Sequence, residues 1–221
     1  KETKKIEAPD NNSVEETFAN GDVTNIYNTY GGEYQGGMGG YLNMNQRGCG
    51  PIALADMYNR NNEGRISARA LAGSMFGSGR YDPRRGTSVG DYIDTAHSMG
   101  MNLTPGKVTQ QSLKSASPTH PITVVGSGSD YGTRRGNNHF MNVIGTDSHG
   151  TAFVSNPLTG RIDRKPASTI AGSAVMGLYG SGDEADGGYS FPQAIKDAFQ
   201  KLKAEAAKIL GLFTMEKYDE E

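Results

Sequence analysis

The chain has 221 residues, with 22 Lys and Arg against 24 Asp and Glu, a formal charge of −2; that balance argues against a nucleic-acid grip through bulk charge. Hydrophobic residues make up 35% and no long apolar run occurs, so no membrane-spanning helix is expected. A single cysteine, Cys49, excludes an internal disulfide and a zinc site built from two thiolates.

In chain order, residues 1 to about 20 are polar and charged and read as an arm. It opens on KETKKIEAPDNNS, with neither Met nor an apolar signal core, as expected of a chain excised from something longer or truncated. Residues 21–47 mix Tyr with Gly; an ordered loop draped on a surface through its rings and a flexible linker fit equally. From Gly50 the texture changes. In CGPIALADMYNR, Pro51 suits a first helical position and good helix formers follow. Further helices are predicted over Ile66–Phe76, Val89–Ser98 and, shorter, Gln110–Ala116.

The pattern then changes to strands: Pro121–Val125, His139–Ile144 and Thr151–Ser155. An Asp-Ser-His-Gly turn makes the last two a hairpin. RIDRK and AVMGLYG, within 158–180, supply one or two more. Helices first and an antiparallel sheet second is α+β layering. After a Gly/Asp/Glu-rich break, Ile195, Phe199, Leu202, Ala206, Ile209, Leu210 and Phe213 mark one face of a helix. That face needs a surface to cover, on its own domain, a partner chain or a membrane surface. The expected organisation is an arm and Gly/Tyr-rich segment (1–40), a catalytic domain (41–180), and a linker with an amphipathic helix (181–221).

Cys49 directly precedes a predicted helix, where the dipole and free N–H groups favour the thiolate. Gly48 and Gly50 would let a substrate backbone approach. A thiolate nucleophile needs a base and a group to orient that base. His139 opens one strand of the hairpin and Asn156 closes the other, so the two are neighbours at one sheet edge. Nucleophile, base and orienter then run Cys49, His139, Asn156. His97, His120 and His149 read as structural or solvated, and Asp147 lies at the hairpin turn, far from His139. The Arg134-Arg135 pair reads as a solvated loop.

These residues carry a family resemblance. GCGPIALADMYN, PITVV, HFMNVIGTD and FVSNP resemble the papain-like cysteine peptidases of the bacteriocin-processing, double-glycine leader type, over roughly residues 40–160. The resemblance implies a papain-like fold, with helices packed on an antiparallel sheet, and gives the nucleophile to Cys49, the base to His139 and the orienter to Asn156. The last is a departure, because Asp is usual there. A second departure concerns the oxyanion hole. The family's Gln lies six residues before the Cys, where this chain has Asn43; Gln46 lies three before. Spacing favours Asn43, residue type favours Gln46, and Gln46 is the expected donor beside the Cys49 N–H.

The expected function is thiol acyl transfer, needing no cofactor and no metal. The expected substrate is a peptide or peptidoglycan stem, or a protein precursor, including the chain's own, cut at Gly-rich sites. The arm and terminal helix suit contacts with other chains of a larger assembly, such as a phage tail or the bacterial cell envelope, with no nucleic-acid partner. The alternative is a catalytically inert, peptidase-like structural module of a virion or other particle. A cell-wall amidase of another papain-like family fits less well, lacking the CGP and NP signatures.

Overall fold

The computed structural model describes residues 14–17, 23–26, 34–61, 66–134 and 136–180, with backbone alone for 14–17, 23–26 and 61. Strands β1 (Val14–Thr17) and β2 (Val23–Ile26) form an antiparallel pair. The arm and the Gly/Tyr segment thus each hold one short strand. The amphipathic helix expected beyond residue 181 lies outside the described residues.

Helices follow. A short α1 (Met44–Arg47) leads through Gly48 into α2 (Cys49–Asn61). Helix α3 (Ala68–Gly77) is capped by Ser67, whose hydroxyl accepts from the Ala70 N–H. Helix α4 (Val89–Ser98) is capped in the same way by Ser88 on the Asp91 N–H. Each cap satisfies a donor that the first helical turn leaves unpaired. The predicted span of α4 matches, and that of α3 starts two residues early and ends one early.

The rest is sheet with two small helices. β3 (Leu103–Gly106) and α5 (Gln110–Leu113) precede β4 (Ile122–Gly126), β5 (His139–Thr146) and β6 (Thr151–Asn156). β7 (Arg161–Pro166), α6 (Ala167–Ser173) and β8 (Ala174–Gly180) complete it. Helix α5 is shorter than expected: the carbonyls of 111–113 accept tight turn bonds from Lys114, Ser115 and Ala116 instead of continuing the helix. β3 and α6 had no strong sequence signal, since LTPG contains a proline and ASTIAGS a glycine and two β-branched residues. Pro105 fits because β3 is an edge strand.

The six strands lie in the order β3-β8-β4-β5-β6-β7, every neighbour antiparallel. The architecture is α+β, with helices layered on an antiparallel sheet. Alternation along the strands separates two cores. Val125 and Phe140 join residues of α2, α3 and α4, while Val124, Met141, Val143 and Val154 join α5 and α6. Strands β4 and β5 are buried at every position and carry apolar residues on both faces, interrupted by buried Thr123, His139, Asn142 and Thr146. Helix α2 is therefore fixed against the middle of the sheet, and its first residue, Cys49, comes to the end where β5 begins.

Candidate active site

Cys49 is the first residue of α2 and is half-buried against the helical core. Just before it, Leu42 and Asn43 take left-handed backbone conformations, φ 46° and 56°. Such residues cost of order 1–3 kcal/mol each unless their surroundings enforce them. Here two long-range bonds do so: Tyr81 Oη donates to the Leu42 carbonyl at 2.9 Å, and Asn43 Nδ2 donates to the Pro83 carbonyl at 2.7 Å. The approach to Cys49 is thereby tied to the loop before α4.

Gly48 and Gly50 are buried, and the space they leave is filled by the chain itself. A Cβ on Gly48 would lie 2.6 Å from the Met44 carbonyl oxygen, and one on Gly50 would lie 2.7 Å from the Thr87 side chain. The expected role of these glycines in admitting a substrate backbone is corrected: they let α1, α2 and the 80–88 loop close on one another.

Helix α2 and strand β5 are strapped together by Asn142. Its Nδ2 donates to the Ala53 carbonyl at 2.8 Å and to Asp56 Oδ2 at 2.9 Å. Towards the start of both elements, the Phe140 backbone N–H is directed at the Cys49 sulfur. Phe140 follows His139, so nucleophile and base candidates sit at one end of the α2–β5 contact. Among the described residues no hydrogen bond joins the sulfur to the imidazole.

The His139 ring is 2% exposed. Its Nε2 is 2.9 Å from Asn156 Oδ1. The bonding around Asn156 decides which atom is which. Its Oδ1 also accepts from the Leu158 backbone N–H at 3.0 Å, and its Nδ2 donates to Asp163 Oδ2 at 2.7 Å. A backbone N–H only donates and a carboxylate only accepts, so the carboxamide has one orientation. His139 Nε2 must then carry the proton, and the ring nitrogen with the lone pair is Nδ1.

Electrostatics set the resting protonation. Burial pushes the Cys49 thiol up from its ordinary value; the N–H groups of Phe140, Gly50 and Cys49 and the Arg47 charge pull it down by less. Burial pushes His139 down, against the Asn156 bond and the Asp163 charge, which pull it up; Lys165 pulls it further down. Both shifts favour the neutral form. The expectation that the helix N-terminus favours a thiolate is corrected in direction: desolvation outweighs the nearby N–H groups and Arg47, and the thiol pKa is raised.

The oxyanion candidates diverge. Gln46 is exposed on α1, and the Asn43 amide is committed to Pro83. A third carboxamide, overlooked in the sequence, is Gln35. It is 3% exposed, its backbone N–H donates to the Pro157 carbonyl at 2.9 Å, and its Oε1 is enclosed without a hydrogen-bond partner among the described residues. Buried carboxamides are ordinarily satisfied by the fold; the open position here is an acceptor, Oε1, so any oxyanion contact from this residue would come from Nε2, and its backbone is held at Pro157, the residue after Asn156. Its signal was masked by distance, fourteen residues before Cys49 across a Gly-rich stretch. Asp163, in RIDRK, was also missed.

The remaining histidines stand apart from the site. His120 lies in a Ser117–Thr119 turn, and His149 in the hairpin turn closed by Asp147. Among the described residues no group of three or more His, Cys, Asp or Glu could hold a metal ion, and no helix is long and apolar enough to cross a membrane.

The sequence matches no protein-family model and no curated protein. Among solved structures, it is similar to the peptidase domain of Streptococcus ComA, a bi-functional ABC transporter involved in a quorum-sensing pathway. The identity is 18% and the TM-score 0.48, over 61% of this chain and 90% of that one. A double-glycine-motif protease from an AMS/PCAT transporter, in complex with the leader peptide, is 16% identical with a TM-score of 0.43, over 60% of this chain and 82% of that one. The peptidase domain of Streptococcus mutans ComA is 16% identical with a TM-score of 0.41, over 62% and 93%.

Proposed function

We propose that the chain is a cysteine peptidase of papain-like mechanism, with Cys49 as nucleophile, His139 as base and Asn156 as orienter. The observation that carries this reading is the one-way bonding of Asn156, which commits His139 Nε2 and leaves Nδ1 as the proton acceptor at the Cys49 end of β5. The neutral resting pair fits a nucleophile generated on demand. As Sγ attacks the scissile carbonyl carbon, the thiol proton passes to Nδ1 and the carbonyl π pair becomes the oxyanion. The imidazolium then protonates the leaving amine as the C–N bond breaks. A water activated by Nδ1 hydrolyses the thioester, and the proton returns to sulfur.

The Cys49 N–H supplies one oxyanion donor. For the second, residue type supports Gln46 and spacing supports Asn43, whose amide is committed to Pro83, whereas residue type together with burial beside Pro157 supports Gln35, whose Nε2 would be the donor. We assign Gln35.

For substrate, we infer Gly-rich peptide bonds, in a protein precursor or a peptidoglycan stem. Attachment to a phage or bacterial structural assembly rests on the arm, the Gly/Tyr segment and the terminal helix of the sequence. The test is hydrolysis of Gly-Gly peptides and of a longer precursor of this chain. Cys49→Ala and His139→Ala should each lower the rate by about 10⁴-fold or more; full activity in Cys49→Ala overturns the mechanism. A second reading, an inert peptidase-like binding module, is favoured by the raised thiol and its missing bond to the imidazole. It predicts that iodoacetamide labels native Cys49 no faster than a free thiol at any pH.

A further inference from the structure

Asn156 stands where the resemblance leads one to expect an aspartate, and the loss of that carboxylate needs an account. The sheet supplies one. In the β6–β7 register Asn156 faces Arg161 and Val154 faces Asp163. Asn156 and Asp163 are therefore diagonal neighbours on one face of adjacent strands, within side-chain reach. Asp163 Oδ2 accepts from Asn156 Nδ2 at 2.7 Å, and its Oδ1 accepts from Thr159 Oγ1 at 3.3 Å. His139, Asn156 and Asp163 thus step across β5, β6 and β7 in one line, with the carboxylate one residue further back.

We propose that Asp163 is a positioning residue of this site, acting through Asn156: its carboxylate locks the carboxamide so that only an oxygen faces His139, and places the negative charge behind the orienter instead of against the imidazole. The proposal rests on the reading of His139 as base. It also explains the departure at 156. With Asp163 present, an aspartate at 156 would set two carboxylates at hydrogen-bond distance, and one would have to take a proton. The two positions are therefore coupled: an Asn-Asp or an Asp-Asn pair works, an Asp-Asp pair does not.

The experiment uses the full chain and needs no substrate. The ¹⁵N shifts of the His139 ring report which nitrogen carries the proton, and thermal melting reports the fold. The wild type should show a single Nε2–H tautomer. Asp163→Ala removes the acceptor of Nδ2 and leaves the Leu158 N–H to hold Oδ1, so the carboxamide is held less firmly and a measurable minor Nδ1–H population should appear. Asp163→Asn can still accept through its own oxygen and should keep the single tautomer. Asn156→Asp alone should melt about 5 °C below the wild type. The double swap, Asn156→Asp with Asp163→Asn, should recover at least half of that loss and restore Nε2–H.

A merely structural Asp163 would lower melting in every variant without moving the tautomer and without rescue by the swap, and that result overturns the proposal. Should Asp163→Ala fail to fold, Asn156→Asp against the double swap still decides it. Iodoacetamide labelling of Cys49 separates the two readings: an unreactive thiol with the swap pattern intact sinks the peptidase assignment and leaves the Asp163 lock standing.

Discussion

Two buried polar networks run through this protein, and they differ in how they end. The first crosses the middle of the sheet. Tyr92 Oη meets Thr123 Oγ1 at 2.9 Å, Thr123 donates to Asn142 Oδ1 at 2.7 Å, and Asn142 donates to Ala53 and to Asp56. Asp56 then accepts from Arg60 Nε at 3.1 Å, and Arg60 reaches Ser155 Oγ at 3.4 Å. Both Asn142 carboxamide atoms are used, and the ion pair is almost wholly enclosed, at 4% and 1% side-chain exposure. The second network, Asp163–Asn156–His139, runs across three strands and stops at an imidazole nitrogen that has no hydrogen-bond partner among the described residues. A closed network fixes elements in place, because every donor has one acceptor. An open one retains a group able to take a proton, which is what a catalytic base requires.

The comparison can be broken in several ways. The largest effect is expected at the open end. Gln35→Ala should lower kcat by about 10²–10³ with little change in KM, as loss of an oxyanion donor does. Gln46→Ala, at an exposed position, should stay within about twofold in the same assay. The reverse outcome would return the oxyanion role to Gln46. Next comes the closed network. Asn142→Leu strips partners from Thr123, Asp56 and the Ala53 carbonyl at once and should cost about 3 kcal/mol in denaturant unfolding. If stability is unchanged, α2 and β5 are held by apolar packing alone.

A smaller effect separates the networks by pH. His139 has its pKa lowered in the fold, so the unfolded chain binds the proton first on acidification. Stability is thus full above the unfolded value near 6.5 and falls as pH drops through the folded one, with a slope of at most about 1.4 kcal/mol per pH unit. Cys49 has the opposite sign: its raised pKa makes stability fall as pH rises past its unfolded value. Melting curves of the wild type against His139→Gln at acid pH, and against Cys49→Ala at alkaline pH, read the two contributions separately. A pH-independent difference in either pair would refute the assigned shift.

How much was legible beforehand follows from the range of each signal. The helix opening at Cys49, the span of α4 and the β5–β6 hairpin were readable because caps, turns and periodicity act within a few residues. The hairpin also brought His139 and Asn156 to one edge, since antiparallel register is arithmetic. Asp163 was not readable. RIDRK looks like a solvated edge strand, and only the 156–161 register turns its carboxylate on Asn156. Asp56 and Arg60 look like an exposed i,i+4 pair, yet the sheet covers them. Asn142 looks like an irregularity in an apolar run until α2 arrives to receive it.

Local chemistry alone therefore settled the α+β layering and named the thiol, the imidazole and the carboxamide. The folded state decided what these groups can do. Desolvation is a property of the surroundings, and it raises the Cys49 thiol above its ordinary value although nearby backbone N–H groups and Arg47 pull it down. The orientation of a carboxamide is set by its partners, and those of Asn156 come from the turn after β6 and from a third strand. Burial and cross-strand contact depend on segments far apart in the chain, so no window of the sequence contains them.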